Sequence, residues 1–334
     1  MKKILICYGT RPELIKISPI LKNCLVQYHN IFSLCTGQHT DLLDGVLKPN
    51  YSLEINNCSP NRLNSIFSFI TGSYAFDQIL EDGFTHVMVQ GDTASAFACA
   101  LTAFNKGLRV IHLEAGLRTH DKRHPYPEEI YRQSISRLTD VHLCATEANK
   151  TNLINENIKG EMHVVGNTVL DHLTTADVSY NNDILITLHR RENHKLIPFW
   201  YQQIEEIASE NPTLNFVFIS HPNPDSKGTF KKPLSNVRAI QPLPHKEFIK
   251  RITACRFLIT DSGGLQEEAS FLKKKVIVCR ETTERPEALG SFTHLCKSVV
   301  ELPELFNKVK EDFTPEGECP FGDGKAAEKI LQLL

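Results

Sequence analysis

KILICYGTRPELIK, residues 3–16, joins a short apolar run to a turn and then to a helical pattern. Ile4 to Tyr8 is an apolar, isoleucine-rich run that ends at a glycine, which reads as a strand. Past Gly9-Thr10-Arg11, apolar residues recur at helical spacing over 12–25, which reads as a helix. The same phrase repeats along the first half of the chain. Strand-like runs at 31–36, 86–90, 109–114 and 141–146 are separated by helical spacing at 63–80, 94–104, 128–137 and 147–158. Such alternation predicts βα units around a parallel sheet.

A second series follows the polar stretch DHLTTADVSYNND, residues 171–183, which reads as a linker. Its predicted strands are 184–188, 215–220, 237–241, 257–260 and 276–279, with helices at 199–209, 246–256 and 265–272. The fold class expected is therefore α/β: two Rossmann-like doubly wound domains, 1–171 and 184–320, with a linker at 172–183 and a C-terminal helical segment at 321–334. A length of 334 residues suits two domains. The 37 basic side chains against 39 acidic ones leave a net charge of -2, so no global field exists to hold nucleic acid or an anionic membrane. Without an apolar stretch of bilayer length or a signal-like start, a cytoplasmic protein with no membrane insertion is expected. Ten scattered cysteines without a C-x-x-C pair read as buried thiols rather than as disulfides or metal ligands.

Doubly wound sheets bind ligands outside the carboxyl ends of their strands, so chemistry is sought just after them. Arg11 and Lys16 follow the first strand near a helix N-terminus, where they would attract an anion or simply decorate a solvated turn. Asp92 and Glu114 follow or end adjacent predicted strands, and Glu128 precedes Arg132 by one helical turn. Clustered carboxylates raise one another's pKa, which suits acid/base chemistry, although each alone also suits a helix cap. Thr260-Asp261-Ser262-Gly263-Gly264 lies between a strand and a helix, followed by Glu268. It reads as a diphosphate cradle with a ribose-binding carboxylate, or as a plain tight turn. His189 and Arg190 follow one strand and His221 another, without metal-ligand spacing, so no metal is expected.

Together these pieces resemble one family, the non-hydrolysing UDP-N-acetylglucosamine 2-epimerases of bacteria. The matching motifs are GTRPE with Lys16, TGQH, GDT, HLEAGLRT, PEE with Arg132, HRREN, HPNP, DSGGLQEEA, TTERPEA and PFGDGKA, in family order. The resemblance implies a GT-B-like fold with the domains facing across a cleft and a C-terminal helix, from Lys325 onward, that returns to pack on the N-terminal domain, together with a UDP-sugar substrate, no cofactor and no metal. It implies anti elimination of UDP from UDP-GlcNAc to a 2-acetamidoglucal, and re-addition to give UDP-ManNAc for surface polysaccharide such as capsule. Carried over by motif, Asp92, Glu114, Glu128 and His189 are catalytic; Arg11, Lys16, Arg132, Ser262, Gly263, Gly264 and Glu268 hold the UDP-sugar. Gln38, Arg62, Arg190 and His221 match a second, allosteric UDP-GlcNAc site, beside which Asp41 and Leu63 stand where that family often has glutamine. Homodimers are implied too. Modified UDP-sugars as substrate, and a hydrolysing reaction releasing ManNAc and UDP, remain open alternatives.

Overall fold

Strand β1 (Ile4–Tyr8) is buried along its whole length. Its side chains alternate: Ile4, Ile6 and Tyr8 enter one core and Leu5 and Cys7 another, the period of two of a strand covered on both faces. The computed structural model describes residues 2–27, 30–38, 48–53, 62–175, 177–190, 193–219 and 234–334. They form two compact units, Met1–His172 with Gly322–Leu334, and Leu173–Phe321.

In the first unit, β1 pairs on one side with β2 (Ile31–Cys35), which is edged by the short β3 (Tyr51–Ser52). On its other side follow β4 (His86–Gln90), β5 (Arg109–Ala115), β6 (Val141–Cys144) and β7 (Glu161–Val164), all parallel. The chain builds outward from β1 and then restarts at β4 on the opposite side, so the topological switch point lies between β1 and β4. Helix α1 (Arg11–Gln27) covers one face through Leu14, Ile17 and Ile20. The other face is covered by α2 (Arg62–Thr71), α3 (Tyr74–Leu80), α4 (Ala94–Asn105) and α5 (Glu128–Leu138), through Ile66, Phe76, Ala98 and Ile135. Helix α6 (Glu147–Asn155) packs Leu153 against Ala115 of β5, Cys144 of β6 and Val164 of β7.

The second unit repeats the plan. Its sheet is ordered β10 (Val237–Ile240), β9 (Asn215–Ile219), β8 (Asp183–Thr187), β11 (Phe257–Thr260), β12 (Val276–Cys279) and β13 (Thr293–Cys296). Here the switch point lies between β8 and β11. Trp200 of α7 (Ile197–Glu210) and Phe306 of α10 (Leu302–Glu311) fill one face beside Phe216 and Phe257. Ile252 of α8 (His245–Ala254) and Leu265 of α9 (Gly263–Phe271) fill the other. Each such large apolar side chain contributes roughly 1.5–3 kcal/mol on burial.

Several elements differ from the expectation. The helical stretch 63–80 is two helices, because Ser73 leaves the helical conformation and caps α3, its side chain accepting from the Phe76 amide. Strands β3, β7 and β13 carry too little contiguous apolar signal to be read ahead, and helix α10, whose Leu302, Leu305, Phe306 and Val309 do recur at helical spacing, is an addition to the elements expected. Within 171–183, Leu173 and Val178 pack on the second unit's core, and the Ser179 and Asn181 amides donate to the carbonyls of Thr253 and Ala254. The end of the chain, α11 (Ala326–Leu333), lies in the first unit, where Ala327, Ile330 and Leu331 join the α1 core. Asp171 receives its first amides, Ala326 at 3.1 Å and Ala327 at 2.7 Å. Cys7, Cys35, Cys99, Cys144, Cys255, Cys279 and Cys296 are buried free thiols. Among the described residues, no helix is long and apolar enough to cross a membrane, and no cluster of three or more His, Cys, Asp or Glu is placed to hold a metal.

Candidate active site

The first unit carries its polar cluster at the carboxyl ends of β1, β4 and β5. Glu114 sits in β5 with φ of +65°, at the point where the β5–β6 register shifts. The bulge re-aims its side chain away from the strand alternation. There Lys16 Nζ meets both carboxylate oxygens, at 2.6 and 2.5 Å, and Gln90 Nε2 donates to Oε2. Lys16 and Glu114 are 18% and 7% exposed, so this pair is largely withdrawn from water, where losing one partner is costly. Asp92 follows β4, and its Oδ2 accepts from Arg132 Nε at 2.9 Å and from Arg132 Nη2. Glu128 is the first residue of α5 and Arg132 lies one turn on. Thus the lysine and arginine expected around an anionic ligand each also face a carboxylate.

Supporting residues not singled out by the sequence reading fix these groups. Glu129, fully buried, accepts from Arg132 Nη1 at 3.3 Å, from the Thr119 and His120 amides at 3.1 and 3.2 Å, and from Gln133 at 2.8 Å. His112 donates from Nε2 to the Gly91 carbonyl at 2.8 Å. Burial pushes its pKa down to about 3, so it is a neutral donor that holds the loop before Asp92. Arg118 of HLEAGLRT binds Glu156 through two bonds, at 2.7 and 2.9 Å, and so anchors α6. These residues lie inside the quoted motifs, but the partners of His112 and Arg118 stand 21 and 38 positions away and gave no local signal.

In the second unit, Asp261 follows β11 and is fully buried. Its carboxylate accepts from the His189 amide at 2.9 Å, the Arg190 amide at 2.9 Å and Asn193 Nδ2 at 3.0 Å, and lies 3.4 Å from His189 Nδ1. One carboxylate therefore shapes the loop that carries His189 and Arg190. Ser262 precedes α9 as its N-cap residue, without a side-chain cap bond. A Cβ at Gly263 would lie 2.7 Å from Arg285 Nη1 and 2.8 Å from Glu284 Oε1, so these ion-paired side chains would have to shift, whereas Gly264 has open space. The TTERPEA loop thereby underlies the start of α9, with Arg285 bound to Glu267 at 2.5 Å and Glu284 at 2.7 Å, and Arg280 bound to Glu284 at 2.9 Å. Burial pushes the Glu284 carboxyl up, but Arg285, Arg280 and Arg190 outweigh it and hold it well below the usual range. Glu268 accepts from His245 Nε2 at 2.9 Å.

Arg11 opens α1 and is exposed. Gln38 Oε1 accepts from Ser95 Oγ at 2.7 Å, next to the start of α4. His221 and Asp41 lie outside the described residues, as does the Arg62 side chain.

A profile of the UDP-N-acetylglucosamine 2-epimerase family matches residues 29–334. The protein of that name from Campylobacter jejuni is 36% identical, with 100% of this chain and 97% of its own length covered. The one from Salmonella borreze is 35% identical, covering 100% and 98%. The crystal structure of the Neisseria meningitidis enzyme bound to UDP-GlcNAc superposes with a TM-score of 0.86 at 34% identity, covering 100% of this chain and 99% of that one. MurG of Acinetobacter baumannii, 14% identical with a TM-score of 0.56, shares the fold alone, so the two parallel-sheet units are of the GT-B-like class.

Proposed function

Since the chain belongs to the UDP-N-acetylglucosamine 2-epimerase family, we propose that it interconverts UDP-GlcNAc and UDP-ManNAc without net hydrolysis. The carrying observation is the ion-paired carboxylate set at the carboxyl ends of β4 and β5, Glu114 with Lys16 and Asp92 with Arg132. The proton at C2 is not acidic, so the C1–O bond must break ahead of its removal. Negative charge then develops on the departing UDP, which needs fixed donors.

In this reading UDP departs with the C1–O electron pair while a carboxylate among Asp92, Glu114 and Glu128 takes the C2 proton, leaving 2-acetamidoglucal. UDP oxygen then re-adds to C1 and a carboxylate returns a proton to the opposite face of C2. Arg11, Lys16, Arg132 and His189 steady the diphosphate and sugar. Ser262, Gly263 and Gly264 at the start of α9 cradle UDP, and Glu268 accepts from the ribose. No cofactor or metal is required. The enzyme works in the cytoplasm, as a homodimer, and supplies surface polysaccharide synthesis. A second UDP-GlcNAc site that includes Gln38 and Arg190 belongs to the same reading.

Incubation with UDP-GlcNAc in D2O tests this. Deuterium is expected at C2 of recovered UDP-GlcNAc and UDP-ManNAc, with free UDP staying at trace level. Stoichiometric UDP and free ManNAc would establish the hydrolysing reaction instead, and recovered sugar without C2 exchange would remove the elimination mechanism.

A further inference from the structure

We propose that Glu13 is a positioning residue that ties the loop carrying Arg11 to the loop carrying Asp92. The inference rests on the epimerase reading for its consequence in turnover, but the tie itself stands on geometry. Glu13 lies in the first turn of α1 and is 1% exposed. One oxygen, Oε2, accepts from the Gly9 amide at 2.9 Å, the Thr10 amide at 2.6 Å and the Thr10 hydroxyl at 2.8 Å. Part of this is an ordinary capping box, in which a glutamate at the third helical position reaches back to the cap residue's amide. A capping box uses one oxygen and ends there. Here the other oxygen, Oε1, accepts from the Thr93 hydroxyl at 2.7 Å, across 80 positions of sequence.

Thr93 is no passive neighbour. It follows Asp92 directly, and its Oγ1 also accepts the Ala96 amide as the N-cap of α4. The loops after β1 and β4 flank the switch point of the first sheet, so Glu13 bridges them where a ligand is expected to lie. Four donors converge on one carboxylate, which matches its acceptor capacity when ionised. Burial pushes the Glu13 carboxyl up, and bonds from Thr93, Gly9 and Thr10 oppose that shift. A glutamine there keeps the shape but turns an amide toward Thr93, so its hydroxyl proton loses the acceptor.

Glu13→Gln and Thr93→Ala are compared with wild type by two measurements. Amide hydrogen exchange reads the tie without requiring activity. Thr93→Ala is expected to speed exchange at Gly9 and Thr10 by roughly tenfold, the scale of one hydrogen bond, while the second unit is unchanged. Thr93→Ser, which returns the hydroxyl, is expected to restore protection. In turnover, each of Glu13→Gln and Thr93→Ala is expected to lower kcat by on the order of 10- to 10²-fold with little change in KM, the cost of slight misplacement. The double variant is expected to lose no more than the worse single, because both cut one link. Unchanged exchange at Gly9 and Thr10 in Thr93→Ala overturns the tie. Additive kcat losses, or losses that track a falling Tm, overturn the positioning role. A wild-type chain without C2 exchange would sink the epimerase reading alone, since amide exchange reads the tie separately.

Discussion

Lys274 shows how much a single side chain can carry outside the site. It is fully buried, donates to the carbonyls of Ser179 and, at 2.8 Å, Cys255, and its ammonium lies 3.6 Å from the Tyr180 ring centroid. Burial pushes its pKa down to about 8, against a smaller upward pull from Cys255. The unfolded chain then binds the extra proton between about pH 8 and 10.5, so folding stability gains from rising pH across that window. Lys274→Met is expected to flatten this gain, whose slope is at most about 1.4 kcal/mol per pH unit, in denaturant unfolding compared with wild type at each pH. Nothing in KKKVIVC distinguishes Lys274 from its neighbours. At this scale the sequence discloses residue types after strands, such as Asp92 and Lys16, and hides partnerships. Lys16 and Glu114 are 98 positions apart, and only the parallel pairing of β1 with β4 and of β4 with β5, with the bulge at Glu114 in the β5–β6 ladder, makes them neighbours.

Elements were legible where the apolar run was contiguous. Ten strand runs were expected, and each has a strand at or within a residue or two of its bounds; nine are central parallel strands, which are largely covered on both faces, and the tenth is the edge strand β10. Three edge strands were not: β3 spans only Tyr51–Ser52, and β7, EMHV, and β13, THLC, interleave polar residues. The turn after β5 is a further case. Gly116 has φ of +84°, and a Cβ there would sit 2.2 Å from the Asn149 carbonyl oxygen of α6. Helix and turn cannot part without disturbing β6, so Gly116→Ala is expected to destabilise by about 2 kcal/mol or more, a Tm fall measurable by calorimetry. In the sequence it is one glycine of HLEAGLRT, with no sign of the helix pressed against it.

On the scale of the whole molecule, two domains were readable from length and from the βα repeat, while assembly was not. Helices α2, α4 and α5 share a ladder of Phe67, Phe97 and Tyr131, with ring centroids 5.3 and 5.4 Å apart. Their outer surface also leaves Leu63, Phe104 and Ile130 exposed. A second copy of the chain docked on this surface would cover them. Light scattering is expected to give a dimer mass for wild type and a monomer mass for Ile130→Glu, and a monomeric wild type would contradict the assembly. The route of the chain has a separate consequence. It leaves the first unit after His172 and returns at Gly322, and the Asp171 carboxylate already grips the amides of Ala326 and Ala327. Exit and re-entry thus form a seam that the host closes by itself, and the second unit is spliced into it like a cassette. A gene in which a few glycine and serine codons bridge that seam would encode the seven-stranded sheet as a free-standing module, open to a different insert.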